Sequence, residues 1–178
     1  MERAPRALLF IALQLNLGVR LPLKSMRIEI EEALYRVDAL SPDRLGEIGT
    51  ALLAAGVDSP AVRELAWLAP DTTWRDAGDV FDRVLAELGR PVLSRTDAAY
   101  LLAMDAASDI VQRRVSPYDG AARIAYGPFQ AAGQPDDLAP FYYWADEWED
   151  HPEYRAQCEA DILRVAADFL SSYDVRPT

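Results

Sequence analysis

The sequence has one cysteine (Cys158), one histidine (His151) and one lysine (Lys24), and the first two scarcities each remove a class of chemistry. A lone thiol rules out an intramolecular disulfide and a multi-cysteine metal cage, and fits a reduced, cytosolic protein. A single imidazole removes mechanisms that need two, while leaving carboxylate chemistry open. The chain carries no glycine-rich phosphate loop, no G-x-S-x-G elbow and no H-E-x-x-H pair. It also lacks internal repeats, low-complexity tracts and any linker long enough to separate one domain from another. Arginine in place of lysine, with abundant alanine, aspartate and leucine, is the usage of a GC-rich bacterial genome and bears on no mechanism.

What is present is a chain of 178 residues, 51% hydrophobic, which is enough to build one core without staples. The formal charge of -11 is uneven: residues 1–134 hold 18 acids against 15 bases, and residues 135–178 hold 11 against 3. Such a carboxyl-terminal field repels phosphates, so neither a nucleic-acid partner nor an anionic membrane surface is expected. A basic protein or a cation would be drawn to it. Solubility alone also accounts for acidity of this kind.

Residues 7–19, ALLFIALQLNLGV, form an apolar run behind Arg3 and Arg6. That is the outline of a signal-peptide core, but no small-x-small cleavage site follows, and the run is too short to span a bilayer. An N-terminal helix packed on the core is a second reading. The preferred one is a natural start at Met26, where RIEIEEALYRV opens the regular pattern, with residues 1–25 as an apolar segment ahead of a single helical domain, 26–178.

From Met26 onward apolar residues recur at helical spacing, and period-2 alternation never exceeds four residues. Ser41-Pro42, Ser59-Pro60 and Ser116-Pro117 each set a hydroxyl at an N-cap and a proline at the first helical position. Eight helices follow: about Ile28 to Leu40, Pro42 to Ala55, Pro60 to Leu68, Trp74 to Leu88, Ser94 to Val115, Pro117 to Tyr126, Asp137 to Glu149 and Pro152 to Ser172. Residues 127–140 read as loop. The expected fold is all-α, a single domain built as an irregular bundle of seven or eight helices. In the last helix Tyr154, Cys158, Ile162, Val165 and Phe169 share the buried side, which makes Cys158 a small core hydrophobe rather than a reactive thiol.

One dense constellation remains, Phe141 to His151, FYYWADEWEDH. On a helix Phe141, Trp144 or Ala145, and Trp148 would face a core while the acids face water, and packed aromatics beside solvated acids explain this without any function. Four rings, Tyr142, Tyr143, Trp144 and Trp148, nevertheless exceed what one face needs to bury. Exposed rings among carboxylates suit a basic, Arg-rich partner. The candidate partner-binding residues are therefore Tyr143, Trp144, Glu147, Trp148, Glu149, Asp150 and His151. A metal reading competes through Asp146, Glu147, Asp150 and His151, but the spacing matches no established binding loop, and neither a metal nor a cofactor is expected. Asp105 and Asp109, four apart on one helix, offer a carboxylate pair, with solvent exposure as the simpler expectation.

SPYDGAARI (116–124) and the stretch 141–170 together resemble a group of small uncharacterised actinobacterial proteins. These share a P-Y-x-G-A segment and a later A-x-E-x-x-D-x-P segment, here Ala145, Glu147, Asp150 and Pro152. By size and acidity the resemblance implies an immunity-like protein that neutralises a secreted toxin. The leading expectation is thus a cytosolic, non-enzymatic protein-binding module. A carboxylate-based or metal-dependent small enzyme is the alternative, and self-association through the same rings a third. Truncation to Met26 is expected to leave the melting temperature of the full chain unchanged, as thermal denaturation of the two chains would show.

Overall fold

The computed structural model describes residues 27–174; the expectations for residues 1–25, the truncation included, lie outside them. Among the described residues the fold is all-α, with no strand. The helices are α1 (Ile28–Arg36), α2 (Pro42–Ala54), α3 (Pro60–Ala66), α4 (Trp74–Glu87), α5 (Arg95–Val111), α6 (Pro117–Tyr126), α7 (Pro128–Ala131), α8 (Ala139–Asp150) and α9 (Arg155–Asp174). A 3-10 turn, Pro152–Tyr154, leads into α9. All eight expected helices are present. The ninth segment, α7, is a single turn inside the stretch read as loop.

Hydroxyl caps set the helix starts. Ser41, Ser59 and Ser116 accept from the backbone N–H of Arg44, Val62 and Asp119, and Thr73 and Ser94 do the same for Asp76 and Asp97. Each satisfies a donor that the first turn would otherwise leave unpaired. Two helices end earlier than their apolar pattern does. Helix α1 stops before Asp38 (φ 60°), and α5 stops before Arg113 (φ 56°). A left-handed residue breaks the i to i−4 ladder wherever hydrophobic periodicity continues past it. Pro140 lies in the first turn of α8, where it displaces no hydrogen bond.

The helices group into two compact units, divided along the chain between Leu93 and Ser94. The first, α1–α4, closes on Leu45, Ile48, Leu52, Val62, Leu65, Phe81 and Val84. Within it the fully buried Glu32 carboxylate accepts from Arg90 Nε at 3.1 Å and from the Leu93 N–H at 3.3 Å, with Arg36 Nε 4.0 Å away. Arg36 reaches on to Asp82 at 2.7 Å. A charge out of water persists only when paired and hydrogen-bonded in this way.

The second unit, α5–α9, is built around Ala103, Ala107, Ile110, Ile124, Leu138, Phe141, Ile162 and Phe169. Cys158 is buried on α9, and burial pushes its thiol up, as expected of a core position. Tyr154 departs from expectation. It closes the 3-10 turn ahead of α9, off the helical stripe, and is 58% exposed.

Two glycines of α2 separate propensity from packing. A Cβ at Gly46 would meet only Leu65 O at 3.7 Å, whereas one at Gly49 would stand 2.7 Å from the Leu65 carbonyl carbon and 2.8 Å from Ala66 Cα, both backbone atoms. Gly46→Ala is expected to stabilise by up to about 1 kcal/mol through helix propensity. Gly49→Ala is expected to destabilise by about 1–3 kcal/mol through overpacking. Urea denaturation of the two variants checks both signs, and stabilisation by both would contradict the packing.

Candidate functional site

Helix α8 carries most of the candidate residues. At about 100° per residue, Phe141, Ala145 and Trp148 fall on one stripe, and Phe141 and Ala145 are buried there against α6 and α9. Tyr142 and Glu149 lie along the flank towards α6. Trp144, Glu147 and His151 lie along the opposite flank. Tyr143, Asp146 and Asp150 face outward. The seven residues therefore do not form one patch.

On the α6 flank, two tyrosines converge on one acid. Tyr118 Oη donates to Glu149 Oε1 at 2.8 Å, and Tyr126 Oη donates to the same oxygen at 3.0 Å. Glu149 is exposed, and no arginine or lysine among the described residues pairs with it. Tyr118 also stacks on Trp148, with centroids 3.9 Å apart and planes 16° from parallel. Arg155 Cζ lies 4.0 Å over the same indole. Since Tyr118 already occupies one face at that distance, the guanidinium takes the other. Trp148 Nε1–H donates to Glu159 at 3.3 Å, and Arg155 Nε donates to the Trp148 carbonyl at 3.2 Å. Trp148 is thus a half-buried brace between α6 and the start of α9 rather than a free anchor.

The wall continues beyond the carboxylate. Tyr126 and Tyr142 meet edge-to-face at 6.3 Å and 81°, and Tyr142 stacks on the buried Phe129 of α7 at 5.6 Å. Tyr126 is 55% exposed, Tyr142 40% and Tyr143 52%. Tyr143 packs edge-on against the half-buried Trp144 at 4.9 Å. His151, exposed at the end of α8, has Glu147 and Glu153 each 3.8 Å from a ring nitrogen.

The hydrogen bond to Glu149 is the largest cause that pushes the Tyr126 phenol up, to about 12, with burial and the carboxylate charge adding to it. Tyr118 moves in the same direction for the same first cause. Neither phenol is poised as an acid near neutrality; both are fixed donors.

The other candidates resolve as follows. Asp105 and Asp109 are half-buried rather than solvent-exposed. Asp109 is taken up by Arg114 at 2.6 Å and Arg123 at 3.6 Å, so the i, i+4 spacing does not yield a free carboxylate pair. Among the described residues, no group of three or more His, Cys, Asp or Glu side chains is placed to hold a metal ion. Among the same residues no helix is long and apolar enough to cross a membrane.

The residues that sequence reasoning did not place at the site are Tyr118, Tyr126, Phe129, Tyr154, Arg155 and Glu159. Tyr118 stood in the P-Y-x-G-A segment, and the structure sets that segment directly against the A-x-E-x-x-D-x-P segment, through Tyr118 on Trp148 and Glu149. A signal was available: two tyrosines at the ends of one short helix, preceding an acidic one.

Because folding raises the Tyr126 phenol above its ordinary value of 10.0, its contribution to stability is complete below that pH. It is lost as pH rises towards about 12. Urea midpoints across this window are expected to fall less steeply for Tyr126→Phe than for the wild type. Absorbance titration of Glu149→Ala is expected to show two tyrosines, Tyr118 and Tyr126, returning towards the ordinary value. An unchanged titration would mean the hydrogen bond is not made in solution.

No protein-family model, no curated protein and no solved structure matches this chain.

Proposed function

We propose that the chain is a protein-binding module that holds a basic protein partner through the acidic, aromatic surface of α8 and its neighbours. The observation that carries this reading is the exposure, on and around α8, of the rings Tyr126, Tyr142, Tyr143 and Tyr154 and of the acids Asp146, Glu149, Asp150 and Glu153. Rings left in water at the edge of a filled core have no folding role that requires their exposure, and they are the residue type that anchors interfaces. Carboxylates around them steer a cationic partner and fix its register. The field of the whole carboxyl-terminal stretch, 11 acids against 3 bases, acts in the same direction. An immunity-like role, in which the partner is a basic toxin that the chain neutralises, is the form of this reading that the resemblance implies.

The variant pair for the test comes from the outward face of α8 and the flank beside it, at side chains that are not part of the core. Tyr143→Ser with Glu147→Gln is expected to keep the wild-type melting temperature and far-UV spectrum. Affinity capture with the wild-type chain is expected to retain a basic protein that the double variant loses. Raising the salt concentration should weaken that capture, because exposed charge pairs are screened. If both chains retain the same proteins at every ionic strength, the surface is not a binding site.

A further inference from the structure

We propose that Glu149, with the Tyr126 and Tyr142 rings, forms a subsite selective for a guanidinium group, so that the partner is held through an arginine rather than a lysine. The inference rests on the binding role proposed above and names the chemistry of one contact within it.

The carboxylate is half used. Oε1 receives both tyrosine hydroxyls, at 2.8 and 3.0 Å, while Oε2 receives no donor among the described residues. A carboxylate offers about four acceptor sites, and Oε2 keeps its own. The two hydroxyls fix the carboxylate plane without cancelling its charge, since a phenol is a neutral donor. An incoming cation therefore meets an oriented anion and displaces no resident ion pair.

The rings beside it are held as well. Phe129, buried on α7, backs Tyr142 at 5.6 Å with planes 29° apart, and Tyr142 in turn meets Tyr126 at 81°. Pre-ordered rings lower the entropic cost of docking. A planar guanidinium can lie on a tyrosine face and still direct N–H groups in its own plane towards Oε2. A compact, strongly hydrated ammonium cannot combine the two contacts.

The protein already stacks one of its own guanidiniums on a neighbouring ring. Arg155 lies 4.0 Å over Trp148 with its Nε donating to a main-chain carbonyl, so one guanidinium is stacked on this wall at the position adjacent to Glu149. Asp146, exposed, adds to the negative field at the rim.

The experiment is calorimetric titration of the full chain with two defined probes, hexa-arginine and hexa-lysine peptides of equal charge. The arginine peptide is expected to bind about tenfold more tightly. Glu149→Gln keeps acceptors for both tyrosines, and Tyr142→Leu changes only a half-exposed ring; each is expected to abolish the preference while the melting temperature holds. If the peptides bind equally to the wild type and Tyr143→Ser with Glu147→Gln weakens both, the subsite is wrong and the docking surface stands. If neither peptide binds, subsite and docking surface fall together. A preference for arginine that survives in both Glu149→Gln and Tyr142→Leu places the selectivity elsewhere and overturns the proposal.

Discussion

Helix α6 stands so close to α5 that no side chain fits between them at Gly120, where a Cβ would fall 2.7 Å from Ile110 Cδ1. Ile110 is itself buried, so it has little room to give. The approach is lined by small residues on both sides, Ala103, Ala106 and Ala107 on α5 and Ala121 and Ala125 on α6. Small side chains let helix axes come near the short end of the usual 8–10 Å spacing. The consequence reaches the surface, because α6 carries Tyr118 near one end and Tyr126 at the other. Both hydroxyls must meet a single oxygen of Glu149. A displacement of α6 by the width of a methyl group would break at least one of those bonds, since hydrogen bonds weaken steeply beyond about 3.2 Å.

The two units treat their acids in different ways. In the first, Glu32 is buried and matched by cations and a backbone N–H, which is what a low-dielectric site demands. In the second, two exposed acids are matched by neutral donors instead. Glu149 takes Tyr118 and Tyr126, and Asp137 takes Tyr100 at 2.7 Å and Tyr173 at 3.0 Å. Tyr100 is pushed well up from its ordinary value by burial first and by the hydrogen bond to Asp137 next. A hydroxyl positions a carboxylate without neutralising it. The charges of Glu149 and Asp137 are therefore retained in the folded state instead of being spent on internal ion pairs.

Much of the fold was legible in the sequence because its punctuation is local. A serine or threonine cap and a following proline act within one turn, so the starts of α2, α3 and α6 could be read directly. The ends were less legible. Asp38 and Arg113 adopt positive φ although neither is glycine, and hydrophobic periodicity runs on past both. Tyr154 keeps the period of α9 in the sequence, but the 3-10 turn at Pro152 takes it off the stripe. For the site, the segment 141–151 was visible as a composition. Its division into two flanks follows from where α6 and α9 pack, and the decisive pair, Tyr118 with Glu149, is 31 residues apart. Pairings of that range depend on tertiary packing, which no local pattern encodes.

An acid held by hydroxyls differs from an acid held by arginine in what a partner must do to bind. To reach a carboxylate already in a salt bridge, a cation must first displace a resident one, and the gain is the difference between two similar pairs. To reach Glu149 it need only shed water, because the tyrosines occupy one oxygen and leave the charge in place. The same contrast is visible within a few residues of the site. Asp109, bound by Arg114 and Arg123, is closed to a further cation, while Glu149 is open to one. Tyrosines rather than an arginine take up Glu149, and that is what leaves its charge free to act on another molecule.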